Sequence, residues 1–133
     1  MYRHILIPTD GSERSERAIR SGIALAGELN ARVTGAYVGR QNYLPGEGDS
    51  STPKADEALS LVARLAADAG VACECVSVLS DTPEGGIAKI AQTKQCDLIV
   101  MATRGRSRVE KFVLGSTAAA VIADSDIPVL LCK

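Results

Sequence analysis

The chain is poor in aromatic residues, and this scarcity argues against one large class of function. Phe, Tyr and Trp together make up 3% of the 133 residues, and Trp is absent. Proteins that bind single-stranded nucleic acid stack bases on aromatic side chains, and general nucleic-acid binders carry a strongly positive surface. The net charge of this chain is −1. We therefore expect no nucleic-acid partner.

Long apolar runs are also missing. No segment approaches the roughly 18 consecutive apolar residues that a membrane-spanning helix needs. The N-terminus reaches its first acidic residue at Asp10, which is too early for the apolar core of a signal peptide. These features predict a soluble, cytoplasmic protein without a membrane partner.

The sequence lacks the residue patterns that many catalytic and metal sites require. His4 is the single histidine and is predicted to open the first strand as a solvated residue, so no nucleophile–histidine pair is available. Cys73, Cys75, Cys96 and Cys132 form no C-x-x-C motif, and we expect inert thiols and no metal site. Cys73 and Cys75 alternate on a predicted strand and should share one face. Neither the P-loop motif G-x-x-x-x-G-K-[ST] nor the dinucleotide motif G-x-G-x-x-G occurs.

A regular alternation of two apolar periods runs through the chain. Period two marks strands and period 3.6 marks helices, which predicts strands at 2–8, 32–38, 71–79, 97–102 and 127–132 and helices at 12–29, 53–69, 83–95 and 115–123. Residues 39–51 are rich in Gly, Pro, Asn, Asp and Ser and predict a long loop. Alternating strands and helices form a parallel sheet with helices on both faces. The length predicts one α/β domain spanning residues 1–133.

The segment from Met101 to Thr117 combines glycines with a concentration of positive charge. An apolar strand leads into it, Gly105 and Gly115 lie ten residues apart, and a helix is predicted to begin at Gly115. The cations between the glycines are Arg104, Arg106, Arg108 and Lys111, opposed by one acid, Glu110. Glycines let the backbone approach an anion, and free N–H groups at a helix start point toward it. The segment therefore predicts a phosphate-binding loop.

Three loops are predicted to share the rim of the sheet where a ligand would bind. In an open parallel sheet, ligands bind beyond the carboxyl ends of the strands, where the strand order reverses. The loops are Pro8-Thr9-Asp10-Gly11, Val38-Gly39 and the segment from Ala102 to Ser116. Asp10 has two interpretations: it accepts hydrogen bonds from a sugar hydroxyl or base amine, or it is a turn residue that caps the following helix. The basic glycine loop beside it favours a role in binding.

With these motifs the sequence resembles the universal stress protein family over essentially its whole length. Nucleotide-binding members carry G-x-x-G, nine residues and then G-S or G-T after strand four. In this chain Ala102-Thr103-Arg104-Gly105 is followed by nine residues and then by Gly115-Ser116. The opening I-L-I-P-T-D-G-S, from Ile5 to Ser12, and the closing I-P-V-L-L-C, from Ile127 to Cys132, are similar to the family's first and last strands.

The resemblance implies a Rossmann-like sheet of strand order 3-2-1-4-5 and an ATP site, usually with Mg²⁺. Pro8 and Asp10 would then lie near the adenosine, and the backbone of Val38 would meet the adenine edge. Met101 and Ala102 would line the ribose side. The phosphates would be held by Gly105, Gly115, Ser116 and the N–H of Thr117, with added contacts from Arg104, Arg106 and Arg108 unless these belong to a solvated loop.

The resemblance also implies a homodimer, formed by antiparallel contact of the last strands. In the implied strand order the fifth strand lies at a sheet edge, and an uncovered edge invites pairing. Pro128 removes one backbone donor but is compatible with an edge position. The dimer contact is therefore expected from Val129 to Cys132.

Ala102 stands where the family motif has its first glycine. If that position needs a positive φ, alanine costs on the order of 1 kcal/mol. If glycine only provides clearance, the methyl group pushes on the ribose instead. Either effect weakens ATP binding, and the arginines of the loop offer compensating phosphate contacts.

Three functions are compatible with these observations. The favoured one is a nucleotide-binding regulatory module. The second is a slow ATPase, or a protein that phosphorylates itself on Ser107, Ser116 or Thr117. The third is a family member that binds no nucleotide and acts through protein contacts, which Ala102 would favour.

Overall fold

Strands and helices alternate along the described part of the chain, as the apolar periods predict. The computed structural model describes residues 1–40, 53–103 and 114–133. Its elements are, in chain order, β1 (His4–Pro8), α1 (Glu13–Leu29), β2 (Arg32–Arg40), α2 (Pro53–Asp68), β3 (Cys73–Ser80), α3 (Pro83–Thr93), β4 (Leu98–Ala102), α4 (Ser116–Asp124) and β5 (Val129–Cys132). None of their ends differs from the predicted one by more than two residues.

The strands of the described ranges form one parallel sheet of order β3-β2-β1-β4-β5. β1 pairs with β2 from His4↔Arg32 to Pro8↔Ala36. On its other side, β1 pairs with β4 through Ile5↔Leu98 and Leu6↔Ile99. The order reverses between β1 and β4, because the chain builds outward from β1 to β3 and then crosses to the other side. The predicted α/β fold of strand order 3-2-1-4-5 is confirmed.

Two apolar clusters cover the two faces of the sheet. Successive residues of a strand point to opposite faces, so β1 contributes Ile5 and Ile7 to one cluster and Leu6 to the other. The first cluster joins the sheet to α1 and α2 through Ile19, Ile23, Val62 and Ala66, and the second joins it to α3 and α4 through Ile87, Ile90, Ala118 and Val121. Each fully buried valine, leucine or isoleucine side chain contributes about 1.5–3 kcal/mol. The sheet is therefore a firm support for the loops at its ends.

Two of the helices begin at hydroxyl caps. Ser12 caps α1, its Oγ accepting a hydrogen bond from the N–H of Ser15 at 3.2 Å. Thr82 caps α3 in the same way, accepting from the N–H of Gly85 at 3.1 Å. Such caps satisfy donors that have no partner within the helix and are worth about 1 kcal/mol each. The cap of α1 is therefore Ser12.

The prediction that His4 is a solvated residue at the start of β1 is wrong. Its side chain is buried, and its Nε2 lies 2.6 Å from Oγ1 of Thr34 on β2. β1 is the central strand of the sheet, so β2 and β4 flank its first residue on both sides. The carboxylate of Asp97 closes this end, accepting from the N–H of Arg3 at 2.9 Å and from that of His4 at 3.0 Å.

Two further differences lie at the ends of elements. Gly39 was expected in a loop, yet β2 runs through Arg40 because its last two residues pair with Leu79 and Ser80 of β3. The second helix was expected to run to residue 69, yet α2 ends at Asp68 and Ala69 is exposed. The remainder of the predicted loop, residues 41–51, lies outside the described residues.

Candidate functional site

The point of strand reversal brings the ends of β1 and β4 side by side. Pro8, the last residue of β1, pairs with Ala36 of β2. Extending the β1–β4 register by two residues places Pro8 level with Met101 of β4. Asp10 follows the end of β1 in the turn, and Val38 lies on β2 two residues beyond Ala36, the partner of Pro8. The predicted site residues at the ends of β1, β2 and β4 are therefore gathered at one edge of the sheet.

The turn after β1 is held by several short-range hydrogen bonds. The N–H of Thr9 donates to the carbonyl of Ala36 at 2.9 Å, and the Thr9 hydroxyl accepts from the N–H of Gly11 at 3.1 Å. Gly11 has a φ of 84°, in the left-handed region that glycine adopts without strain. Thr9 is buried. The chain is thus held as it leaves β1 and enters α1.

The carboxylate of Asp10 is part of this turn. Its Oδ1 accepts from the N–H of Ser12 at 2.9 Å and from the hydroxyl of Ser15 at 2.6 Å. The Ser15 hydroxyl in turn accepts from the N–H of Asp10 at 3.3 Å. The interpretation of Asp10 as a turn residue is confirmed, although Ser12 rather than Asp10 caps the helix. These bonds also fix the orientation of the carboxylate at the rim.

Sequence reasoning missed Ser15, which is buried and joins Asp10 to the first turn of α1. A serine three residues after a predicted N-cap is unremarkable in a sequence, because its partner can lie inside or outside the helix. The available signal was the spacing of Asp10, Ser12 and Ser15, which places three short polar side chains around one turn.

Ala102 ends β4 and pairs with Cys132 of β5. Among the described residues the non-glycine residues with a positive φ are Asn30 and Gln95, so Ala102 does not carry one. Of the two alternatives for this position, strain at a positive φ is therefore excluded, and clearance is the remaining way in which alanine could matter. Met101 beside it is buried in the cluster that faces α3 and α4.

The helix that follows the glycine loop begins without a side-chain cap. Gly115 is its N-cap, with a φ of −62°, and Ser116 and Thr117 form the start of its first turn. The N–H of Gly115 donates to the carbonyl of Thr103 at 2.7 Å, which ties α4 to the end of β4. The predicted site residues Arg104, Gly105 and Arg106 lie outside the described residues.

Val38 lies within β2 rather than after it, and it pairs with Val78 of β3. Its side chain is half-buried and packs on the cluster facing α3 and α4. A Cβ added at Gly86 of α3 would lie 2.5 Å from its Cγ1, so glycine at this position allows α3 to approach β2 closely. The position of Val38 is therefore set by the packing of α3.

A cleft of about 610 Å³ opens beside the turn after β1, between α1 and α2. Thr9, Ser12 and Glu16 line it on one side, and Glu57, Leu61 and Arg64 of α2 line it on the other. Its walls carry negative charge from Glu16 and Glu57 and positive charge from Arg64, beside the apolar side chain of Leu61. The Thr9–Ser12 turn is therefore open to solvent from the α1–α2 side of the sheet.

The described residues contain neither a cluster of metal ligands nor a membrane-spanning helix. Within 1–40, 53–103 and 114–133, no three His, Cys, Asp or Glu side chains are grouped so that they could hold a metal ion. In the same ranges, none of the helices has the length and apolar character that crossing a bilayer demands.

Comparison with known proteins relates the whole chain to one family. A model of the Universal stress protein family matches residues 1–133. The universal stress protein MJ0531 of Methanocaldococcus jannaschii is 36% identical over 142 residues, covering 100% of this chain and 83% of the relative.

Solved structures agree with this relationship. A universal stress protein from Archaeoglobus fulgidus superimposes with a TM-score of 0.79 at 27% identity, covering 100% of both chains. The universal stress protein from Archaeoglobus fulgidus in complex with dAMP has a TM-score of 0.76 at 24% identity, covering 99% of this chain and 98% of that one, and shows the shared fold alone. On the family-model match over residues 1–133 and the 36% identity to MJ0531, the chain belongs to the universal stress protein family.

Proposed function

We propose that the protein binds an adenine nucleotide, with ATP as the first candidate, and acts as a regulatory module in a stress response. The observation that carries this proposal is the reversal of strand order between β1 and β4. Ligands of open α/β sheets bind at such a point. Family membership supports the proposal, and the dAMP complex of a protein with the same fold makes an adenine nucleotide the ligand class to test.

The phosphates are proposed to lie at the N-terminus of α4. The first N–H groups of a helix have no partner within that helix, and they stand at the positive end of its dipole. Ser116 and Thr117 supply such groups here. Because the N–H of Gly115 already donates to Thr103, we propose that Gly115 contributes clearance. Arg104, Gly105 and Arg106 remain proposed phosphate contacts on the strength of the sequence motif.

The adenosine is proposed to lie over the ends of β1, β2 and β4. Ser12 and Ser15 hold the carboxylate of Asp10 in one orientation, and a fixed acceptor loses little freedom when it binds a ribose hydroxyl. The backbone of Val38 is proposed to meet the adenine edge. The remaining proposed neighbours of the nucleoside are Pro8, Thr9, Met101 and Ala102.

Mg²⁺ is proposed to accompany ATP rather than to occupy a protein site of its own. Mg²⁺ keeps several waters and is usually bound through one or two carboxylates together with substrate phosphates. Its expected ligands are therefore phosphate oxygens and water, and it would neutralise part of the phosphate charge.

We also propose a homodimer through β5, from Val129 to Cys132. β5 is an edge strand, and Leu130 on it is 44% exposed. Unpaired backbone groups along an edge favour pairing with a second strand. We further propose that residues 1–133 act as one domain in the cytoplasm, where unpaired cysteines such as these four stay reduced.

The test is a titration of the untagged protein with Mg-ATP, after acid extraction has shown whether nucleotide is already bound. The informative variant is Ser116→Pro, which removes one N–H while keeping a residue that suits the first position of a helix. Gly115 has a ψ of 151°, which is compatible with a following proline. The matched control, Ser116→Ala, loses the hydroxyl and keeps the N–H.

We expect Ser116→Pro to weaken ATP binding about tenfold or more, as for loss of one hydrogen bond to a charged group. Ser116→Ala should weaken it much less. Equal affinities of Ser116→Pro and the wild type for ATP would show that the phosphates do not bind at the N-terminus of α4. Failure of the wild type to bind millimolar ATP would favour a protein that acts through protein contacts. Release of ADP, or a mass gain of one phosphate, would favour the enzymatic alternative.

A further inference from the structure

One hydroxyl group, that of Ser15, binds both the backbone and the side chain of Asp10. It donates to Oδ1 of Asp10 at 2.6 Å and accepts from the N–H of Asp10 at 3.3 Å. Ser15 is 5% exposed, so water has little access to replace this hydroxyl. The side chain of Ser15 therefore ties the first turn of α1 to the rim of the sheet.

Serine is not the residue that the start of α1 itself favours at this position. Ser12 is the N-cap, which makes Ser15 the third residue of the helix. In the common capping box the third residue is Glu or Gln, whose side chain accepts from the N–H of the N-cap. In this chain Asp10 accepts that N–H instead, at 2.9 Å. Helix capping therefore does not account for a serine at this position, whereas its contact with Asp10 does.

The two hydrogen bonds to Oδ1 fix the orientation of the whole carboxylate. A carboxylate has about four acceptor sites, divided between its two oxygens. Oδ1 of Asp10 accepts from the N–H of Ser12 and from the hydroxyl of Ser15, and these two donors set its position. Because the turn holds the backbone of Asp10, a fixed Oδ1 also fixes the direction of Oδ2. Without the hydroxyl of Ser15, Oδ1 would keep one of these two donors, and the carboxylate could turn about that bond.

We propose that Ser15 is a positioning residue for nucleotide selectivity. By holding Asp10, it makes the site prefer a nucleotide with ribose hydroxyls over one that lacks them. This inference rests on the proposed function, which places the adenosine over the turn that contains Asp10. A hydrogen bond from a ribose hydroxyl to a carboxylate is charge-assisted and therefore strong. It contributes fully to affinity only if the carboxylate is already oriented, because ordering a mobile side chain costs free energy on binding.

The test compares two ligands that share the base and the triphosphate, namely ATP and dideoxy-ATP, which lacks both ribose hydroxyls. Calorimetric titration in the presence of Mg²⁺ gives a dissociation constant for each, and the ratio of the two isolates the contribution of the hydroxyls. We expect the wild type to bind ATP at least about tenfold more tightly than dideoxy-ATP, as for one hydrogen bond to a charged group. Ser15→Ala should lower this ratio about threefold or more, because it weakens the binding of ATP and leaves that of dideoxy-ATP nearly unchanged.

Two further variants control for damage to the fold. Ser21 is exposed on the same helix, so Ser21→Ala removes a hydroxyl from α1 away from Asp10 and should leave the ratio unchanged. Ser15→Cys nearly keeps the volume of the side chain but has only a weak S–H donor. It should lower the ratio in the same direction as Ser15→Ala, and it replaces that variant if the alanine protein fails to fold.

The contrary outcomes separate this inference from the proposed function. If Ser15→Ala weakens the binding of both ligands alike and keeps the ratio, Ser15 is a structural residue and the inference is overturned. Equal binding of ATP and dideoxy-ATP by the wild type would also overturn it, while the proposed nucleotide site would stand. Failure of the wild type to bind either ligand at millimolar concentration would overturn the proposed function, and this inference with it.

Discussion

The imidazole of His4 is hydrogen-bonded to the hydroxyl of Thr34, with 2.6 Å between Nε2 and Oγ1, across the starts of β1 and β2. His4 is 5% exposed, and Thr34 is fully buried. Burial lowers the pKa of His4, and the charge of Arg32 lowers it further. The carbonyl of Lys94 and the carboxylates of Asp97 and Glu74 act in the opposite direction without outweighing burial. His4 is therefore a neutral part of the core at neutral pH.

This arrangement predicts a loss of stability in mild acid. The unfolded chain takes up a proton on His4 near pH 6.5, whereas the buried imidazole stays neutral to a lower pH, so the unfolded state binds more protons. The free energy of unfolding should fall as the pH drops below about 6.5, by at most about 1.4 kcal/mol per pH unit. Urea unfolding at a series of pH values between about 5 and 7.5 measures this change in the free energy of unfolding.

His4→Gln is the matched variant, because His4 is the only histidine of the chain. Its stability should be nearly independent of pH over the upper part of this interval, where carboxylates are already ionised. An equal slope in the variant and the wild type would show that the imidazole is not the group responsible.

Gly22 and Gly27 of α1 should respond in opposite ways to alanine. A Cβ at Gly22 would lie 2.6 Å from Cδ1 and 3.1 Å from Cγ1 of Ile7, so the core must shift to accept it. A Cβ at Gly27 would meet nothing closer than Val71 Cγ2 at 3.8 Å. Overpacking costs about 1–3 kcal/mol, whereas replacing a helical glycine by alanine contributes about 0.8–1 kcal/mol.

We therefore expect Gly27→Ala to stabilise the protein and Gly22→Ala to destabilise it, measured as free energies of urea unfolding. Both substitutions make the same gain in helix propensity. The difference between the two unfolding free energies therefore measures the cost of the added methyl group where α1 contacts β1. Equal stabilisation by the two substitutions would mean that the core adapts without cost.

Ala102→Gly tests whether the methyl group crowds the bound nucleotide. Because Ala102 does not have a positive φ, glycine relieves no backbone strain and changes only the clearance. Under the proposed function, the affinity for ATP should rise by up to about tenfold, or about 1.4 kcal/mol. Titration with adenosine is the control, since crowding at the ribose should affect adenosine and ATP alike. Unchanged affinities for both ligands would place Ala102 away from the nucleotide.

Leu130 and Leu79 form a matched pair for the proposed dimer. They are 44% and 43% exposed and lie on the two opposite edge strands, β5 and β3. Leu130→Asp places a charge in the proposed contact and should convert a dimer to a monomer, as measured by light scattering at micromolar concentration. Leu79→Asp carries the same change outside the contact and should leave the mass unaltered. A monomeric wild type, or dissociation by Leu79→Asp alone, would contradict the proposed interface.

The sequence was a good guide wherever a feature depends on neighbours along the chain. Strands and helices differ in their apolar period, so Ile5-Leu6-Ile7 and the apolar face of α1 predict their elements correctly. The N-cap at Ser12 is equally local. The glycine spacing and the two terminal motifs were enough to indicate the family, which the family comparison confirms.

The candidate site could be predicted only as a set of loops. Its edge of the sheet follows from the order of elements, and the β1–β4 register, extended by two residues, brings Pro8 level with Met101. The bond from Gly115 to Thr103 and the backbone conformation of Ala102 could not be predicted, because they depend on how β4 and α4 meet.

The linear pattern of residues therefore determined the elements, the fold class and the family, because these depend on periodicity and short motifs. The tertiary structure alone decided which polar groups are buried and which ones touch. His4 meets a residue 30 positions away, and Cys75 meets Leu59 16 positions away. A contact between distant residues changes desolvation and hydrogen bonding, and through them acidity and reactivity. These properties arise from the packing of the sheet and its helices.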